Sequence, residues 1–108
     1  MAGSTEKVPS EEDLRKALEQ VRVADVLLGA LTSAVSLGFH RVSAEARDLP
    51  QAKLAIETLR ALEPVLREGG VDEAVVRDLE QARANLQLAY AKAVADESGA
   101  GPEGAQEV

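Results

Sequence analysis

Residues 14–42 read LRKALEQVRVADVLLGALTSAVSLGFHRV, and this stretch decides the fold class. Apolar residues recur in it every seven positions, and a second apolar or small residue follows each of the first four by three positions. The first set is Leu14, Val21, Leu28, Val35 and Val42, and the second is Ala17, Ala24, Leu31 and Gly38. A sustained seven-residue repeat is typical of an α-helix that packs against other helices. We therefore predict one long helix over residues 11–42, unless it breaks near Gly29 or Gly38.

Two shorter helices are predicted after this stretch. Asp48 and Asp72 each precede an apolar helical pattern, and aspartate commonly accepts a hydrogen bond from a free N–H at a helix start. The first pattern covers residues 49–68 and stops at Gly69 and Gly70; the second covers residues 73–95. No alternating strand pattern is present in the sequence. The predicted fold class is all-α: a three-helix bundle of one long helix plus a helical hairpin, completed by oligomerisation.

The two ends of the chain differ in composition from the middle. Residues 1–9 are short and polar, and residues 98–108 read SGAGPEGAQEV, with almost nothing to bury. Such segments do not offset the entropy lost on ordering. We predict a disordered tail over residues 1–9, a helical domain over 10–96, and a disordered acidic tail over 97–108.

Composition argues against several classes of partner and location. The net charge is −7 and the basic residues are scattered, which argues against nucleic-acid binding. The start of the chain has no apolar run of a secretory signal, and the chain has no cysteine. Residues 26–39 are the most apolar, but a bilayer needs roughly 20 residues. We therefore expect a cytoplasmic protein with no membrane contact, in which this stretch is buried.

No catalytic or metal-binding constellation is visible in the sequence. His40 is the one histidine, and beside Arg41 it suits the C-terminal end of a helix, where a positive charge is favoured. A di-iron bundle needs Glu-x-x-His pairs, which the chain lacks, and a thiolate zinc site needs cysteine. We predict that the protein is not an enzyme and has no catalytic residue, metal or cofactor.

The long first helix has a second apolar face, and this face is the predicted interface. Its members are Val23, Val26, Leu27, Ala30, Ala34 and Leu37, which a helical wheel places opposite the first stripe. The hairpin can cover one face only, so the other is expected to meet a second chain. Asp25, at the edge of the apolar sector, is either a polar contact that fixes the register with a partner or a carboxylate facing water.

Part of the chain resembles a known family. Residues 48–57 read DLPQAKLAIE, after a small-residue apolar helix that closes with Leu37 and Gly38, and a last helix carries LQLAY at residues 86–90. These features resemble a small bacterial helical family, domain of unknown function 1844. Members usually carry arginines beside the final tyrosine, where this chain has Gln87 and Ala89. The resemblance implies a bacterial origin and an all-helical fold, and it implies no activity.

Two functions of different classes follow from these observations. The first is a non-enzymatic interaction or adaptor module that forms a homo-oligomer, a dimer or tetramer, through its first helix, or binds an unidentified protein partner. The second is a small-molecule sensor with a pocket between helices near Phe39 and Tyr90. A stoichiometric protein partner would favour the first, and a co-purifying ligand would favour the second.

Overall fold

The computed structural model describes residues 10–99, which contain four α-helices, one short 3-10 turn and no strand. The all-α prediction is confirmed. The elements in chain order are α1 (Glu11–Gln20), α2 (Val23–Val42), the 3-10 turn (Ala44–Ala46), α3 (Leu49–Glu68) and α4 (Glu73–Ser98). Helices α2, α3 and α4 pack against one another. Helix α4 runs two residues past the predicted boundary at residue 96, into the predicted tail over residues 97–108. The predicted tail over residues 1–9 and the remainder of the second tail, residues 100–108, lie outside the described residues.

The predicted long first helix is divided in two, which corrects the prediction of three helices. Val21 and Arg22 both adopt extended backbone, with ψ angles of 127° and 142°. The predicted weak points, Gly29 and Gly38, instead lie inside α2. The β-branched residue Val21 lies in the break and another, Val23, follows it, and such residues favour extended over helical backbone. Since every residue of α1 is exposed, no tertiary contact compensates for this preference.

The predicted helix starts are confirmed in their hydrogen bonds. The Asp48 carboxylate accepts from the Gln51 N–H, and the Asp72 carboxylate accepts from the Ala74 N–H at 2.8 Å. Ser10 caps α1 in the same way, by accepting from the Asp13 N–H. These side chains satisfy donors that the first turn of a helix leaves unpaired. Pro64 does not end α3, which continues to Glu68.

The core between α2, α3 and α4 consists of two adjoining clusters. One is centred on Leu31, Leu59, Leu66, Val76 and Leu79, and the other on Val42, Ala52, Ala55, Ile56, Leu86 and Ala93. The second cluster is rich in alanine, so its helices must approach closely to bury apolar surface. Gly38 of α2 is buried there, and a Cβ atom at this position would lie 2.7 Å from Leu86 Cδ2 and 3.2 Å from Ala55 Cβ.

The absent side chain of Gly38 therefore fixes the spacing of the three helices, which can be tested with a matched pair of substitutions. Gly38→Val should lower the free energy of unfolding by roughly 1–3 kcal/mol, because overpacking forces buried neighbours apart. Gly29→Val is the control, since a Cβ atom at Gly29 meets nothing within 4 Å. Urea unfolding followed by circular dichroism measures both. Equal stability of the two variants would contradict the close approach at Gly38.

Candidate interaction surface

Helix α2 leaves much of its apolar surface uncovered by the rest of the chain. Leu31, Gly38 and Val42 are its buried residues. Val23 is 75% exposed, and Val26 and Leu37 are each 59% exposed. Leucine and valine at these exposures are normal singly, but a contiguous group marks an interaction site. The expectation that residues 26–39 are buried was therefore wrong for most of this helix.

A groove of about 500 Å³ runs between α2 and α3 beside these residues. From α2 it is lined by Ala34, Leu37, Gly38 and Arg41, and from α3 by Asp48, Gln51, Leu54, Ala55 and Thr58. Leu54 is 58% exposed, so its side chain and that of Leu37 both border the groove and face solvent. Small residues form the floor, because Ala34, Gly38 and Ala55 leave space above the α2–α3 contact.

The apolar surface continues from this groove along both helices. Eleven residues make about three turns, so Val26 lies on the same side of α2 as Leu37, and Val65 lies on the same side of α3 as Leu54. Val65 is also half exposed. The surface is called the α2–α3 face below, and it comprises Val23, Val26, Ala30, Leu37, Leu54 and Val65.

Helix α1 carries a second apolar surface without a cover. Leu14, Leu18 and Val21 recur at helical spacing, and each is at least half exposed. A ten-residue helix is marginally stable in water unless an apolar side is packed. The exposed stripe of α1 and the α2–α3 face are thus two unpartnered apolar surfaces on one chain.

The charged side chains are distributed unevenly between the two sides of the molecule. On the side where α3 meets α4, Glu63 and Arg83 form a two-pronged ion pair, with N–O distances of 2.7 and 3.0 Å, and Glu63 is buried. No residue of α2 forms an ion pair with another described residue. Helix α2 therefore contributes no ion pair to the α2–α3 face, and the charged residues that line the groove are Arg41 and Asp48.

A more exposed ion-pair network ties the end of α3 to α4. Arg67 contacts both Glu73 and Glu80 at 2.9 Å. Hydrogen bonding from Arg67 holds the pKa of Glu73 below its ordinary value. The Arg67–Glu73 pair therefore stabilises the fold at neutral pH. Its contribution is lost as the pH falls through the acidic range where Glu73 takes up a proton. Because these groups face solvent, the effect is screened by salt.

The six residues predicted as the interface do not all share one environment. Val23, Val26, Ala30 and Leu37 are exposed, whereas Leu27 and Ala34 are partly buried and pack against the core clusters. The predicted face therefore adjoins the buried stripe, instead of lying opposite to it. The reason is geometric: consecutive apolar residues such as Ala30 and Leu31 are only about 100° apart around a helix.

Sequence reasoning missed the contribution of α3 to this surface. Leu54 and Val65 fall outside the buried stripe of α3, which runs through Ala52, Ala55, Ile56, Leu59 and Leu66. The signal that identifies them is an apolar residue off the stripe, repeated three turns later. That Leu54 and Leu37 line the same groove follows only from how α2 packs on α3.

The other residues singled out in the sequence lie away from the α2–α3 face. Asp25 is exposed in the first turn of α2, about 100° around the helix from Val26. It is not a member of that face, and its two predicted roles, a register contact with a partner and a carboxylate facing water, both stay predictions, since an exposed side chain is compatible with either. Phe39 is 38% exposed, and Tyr90 packs against the second core cluster. Neither ring lines the α2–α3 groove or the smaller groove between α2 and α4.

Two further properties of the described residues bear on function. Within residues 10–99, no three His, Cys, Asp or Glu side chains are grouped so that they could hold a metal ion. Helix α2 has 20 residues and a mean hydropathy of 1.5, so by length and composition it is able to cross a membrane. The core helix of a soluble protein passes the same test, and this finding alone assigns no location.

In comparisons with known proteins, the chain matches no family model, no curated protein and no solved structure. The resemblance to domain of unknown function 1844 therefore stays a prediction.

The Glu63–Arg83 pair gives a stability prediction for the side of the molecule opposite the groove. Arg83→Met should lower the free energy of unfolding by about 3–5 kcal/mol, because it leaves a buried carboxylate without its cation. The double variant Glu63→Met with Arg83→Met should recover most of this loss, since no charge is then buried. Arg60→Met is the control: its partner Glu57 is exposed, and the expected change is below about 1 kcal/mol. Similar urea midpoints for Arg83→Met and Arg60→Met would contradict the view that Arg83 compensates a buried charge on Glu63.

Proposed function

We propose that this protein is a non-enzymatic helical interaction module that self-associates through the α2–α3 face. The observation that carries the proposal is the exposure of Val23, Val26, Leu37 and Leu54, each more than half exposed, along one side of a helix pair. Water contact with this surface is unfavourable by about 25 cal/mol for each Å² of apolar area. A second copy that covers it removes this cost, and symmetric homo-oligomers are the commonest soluble assemblies.

The charge distribution supports a protein partner over a nucleic acid or a membrane. The net charge of −7 opposes binding to phosphate backbones and to anionic lipid surfaces. The opposite side of α2 packs on α3 and α4, so insertion of this helix into a bilayer would require the core to open. Asp25, His40 and Arg41 also lie within α2, and charged groups are unfavourable in hydrocarbon.

We take the smallest assembly, a dimer, as the expected state. A stable interface covers about 800 Å² on each partner. The face runs along α2 from Val23 to Leu37, about 21 Å at 1.5 Å per residue, and extends across to α3. A tetramer would require a second such surface, and α1 is the remaining apolar candidate.

The proposal predicts that a charge on the face prevents assembly. Leu37→Lys should weaken self-association by about 2 kcal/mol or more, because a buried partner surface would then meet an unpaired charge. Ser36→Lys is the matched control: it adds the same charge at the next residue, which is exposed and lines the α2–α4 groove instead. Ala34 is less suitable because it also packs against the core.

Sedimentation equilibrium distinguishes the outcomes. The parent and Ser36→Lys should sediment as a dimer of about 23 kDa, twice the chain mass of 11.4 kDa, and Leu37→Lys should sediment as a folded monomer. A parent chain that remains monomeric at high micromolar concentration contradicts self-association. Flotation of that monomer with neutral lipid vesicles, lost in Leu37→Lys and kept in Ser36→Lys, would instead identify the α2–α3 face as a membrane contact.

A further inference from the structure

We infer that the groove between α2 and α3 is occupied by helix α1 of a second copy of the chain, exchanged reciprocally in the dimer. This inference rests on the proposed self-association and names the segment that enters the groove. It joins the two unpartnered apolar surfaces of the molecule, the exposed stripe of α1 and the floor and walls of the groove, in one contact.

The length of α1 prevents it from filling the groove of its own chain. Two extended residues, Val21 and Arg22, join α1 to the start of α2, so a folded-back α1 would lie beside the first half of α2. Ten helical residues cover about 15 Å, whereas Leu37 lies about 21 Å and Arg41 about 27 Å from Val23. The end of the groove at Leu37 and Arg41 is therefore within reach of a partner's α1 only.

Shape and apolar pattern favour one helix in the groove over contact between two grooves. A helix presents a ridge of side chains, and here Leu14 and Leu18 form such a ridge on α1, with Val21 at its C-terminal end. Ala34, Gly38 and Ala55 leave room for it, because alanine has only a methyl group and glycine has no side chain. Direct contact between the two α2–α3 faces would leave the stripe of α1 in water.

Charge sets the direction in which α1 enters. Arg41 is the one cation among the residues that line the groove, and it forms no ion pair with another described residue. The acid in the groove, Asp48, already accepts the Gln51 N–H at the start of α3. The first turn of α1 carries Glu11, Glu12 and Asp13. With this turn beside Arg41, α1 runs antiparallel to the partner's α2, and Leu14 lies near the partner's Leu37.

The first test places a cysteine at each of these positions. The chain has no cysteine of its own, so a disulfide in a Leu14→Cys, Leu37→Cys double variant can join only the two introduced positions, as a 14–14, 37–37 or 14–37 link. Within one chain the two Cα atoms stay about 10 Å apart along α2 even if α1 folds back, beyond the limit of about 7 Å for a disulfide. Mild oxidation should therefore give a covalent dimer, in which mass spectrometry finds position 14 linked to position 37. A dimer that forms no 14–37 link, or a 14–37 link within one chain, overturns the inference.

The second test separates this inference from the proposed function. Leu18→Lys places a charge on the apolar stripe of α1, and the matched control Gln20→Lys places the same charge on the other side of the helix. Both positions are exposed in the single chain. The inference predicts that Leu18→Lys raises the dimer dissociation constant at least about tenfold and that Gln20→Lys leaves it within about twofold. If Leu37→Lys abolishes the dimer while Leu18→Lys does not, self-association through the α2–α3 face stands and the role of α1 fails. If neither variant changes the dimer dissociation constant, both the α2–α3 face and α1 are excluded from the dimer contact.

Discussion

The apolar surface of α2 extends around more of the helix than the rest of the chain covers. From Val26 through Leu31 to Val35, apolar side chains occupy more than half of its circumference, and α3 and α4 bury one part of this arc. A helix that is apolar on most sides is stable in water only when most sides are packed. The small number of buried residues in α2 and the exposed apolar groove beside it both follow from this mismatch between apolar surface and cover.

Small residues determine how the covered part of that arc is packed. Gly38 brings α2 close to Leu86 and Ala55, and the alanines of the same cluster bring α3 close to α4. Alanine buries little surface for each residue, so this core gains its stability from short distances between helices more than from bulky side chains. Small residues among those that line the α2–α3 groove (Ala34, Gly38 and Ala55) leave its floor without bulky side chains, as the proposed seating of a partner's α1 requires.

The placement of charge follows from the placement of the core. Between α3 and α4, Arg83 compensates the buried carboxylate of Glu63, and Arg67 joins the end of α3 to Glu73 and Glu80. These contacts fix the hairpin and its register. Along α2, Val23, Val26 and Leu37 are exposed apolar side chains and the helix forms no ion pair with another described residue. Covering these three side chains removes no charge from water. One side of the molecule is thus specialised for internal stability, and the other is suited to association.

Local chemistry in the sequence determined the helical class, the start of α3 at Asp48, the start of α4 at Asp72, and the glycine stop after Glu68. Each of these depends on hydrogen bonds or periodicity within a few residues, which is why it could be predicted. The break at Val21 and Arg22 was not predicted, because a continuous heptad pattern does not show that α1 lacks a packing partner to hold those residues helical. Likewise, only tertiary packing divided the predicted interface, since Leu27 and Ala34 turn toward the core while Val26 and Leu37 remain exposed. The contribution of Leu54 and Val65 also depends on the orientation of α3 against α2. A sequence specifies which residues are apolar on each helix, but only the arrangement of the helices decides which of them are covered.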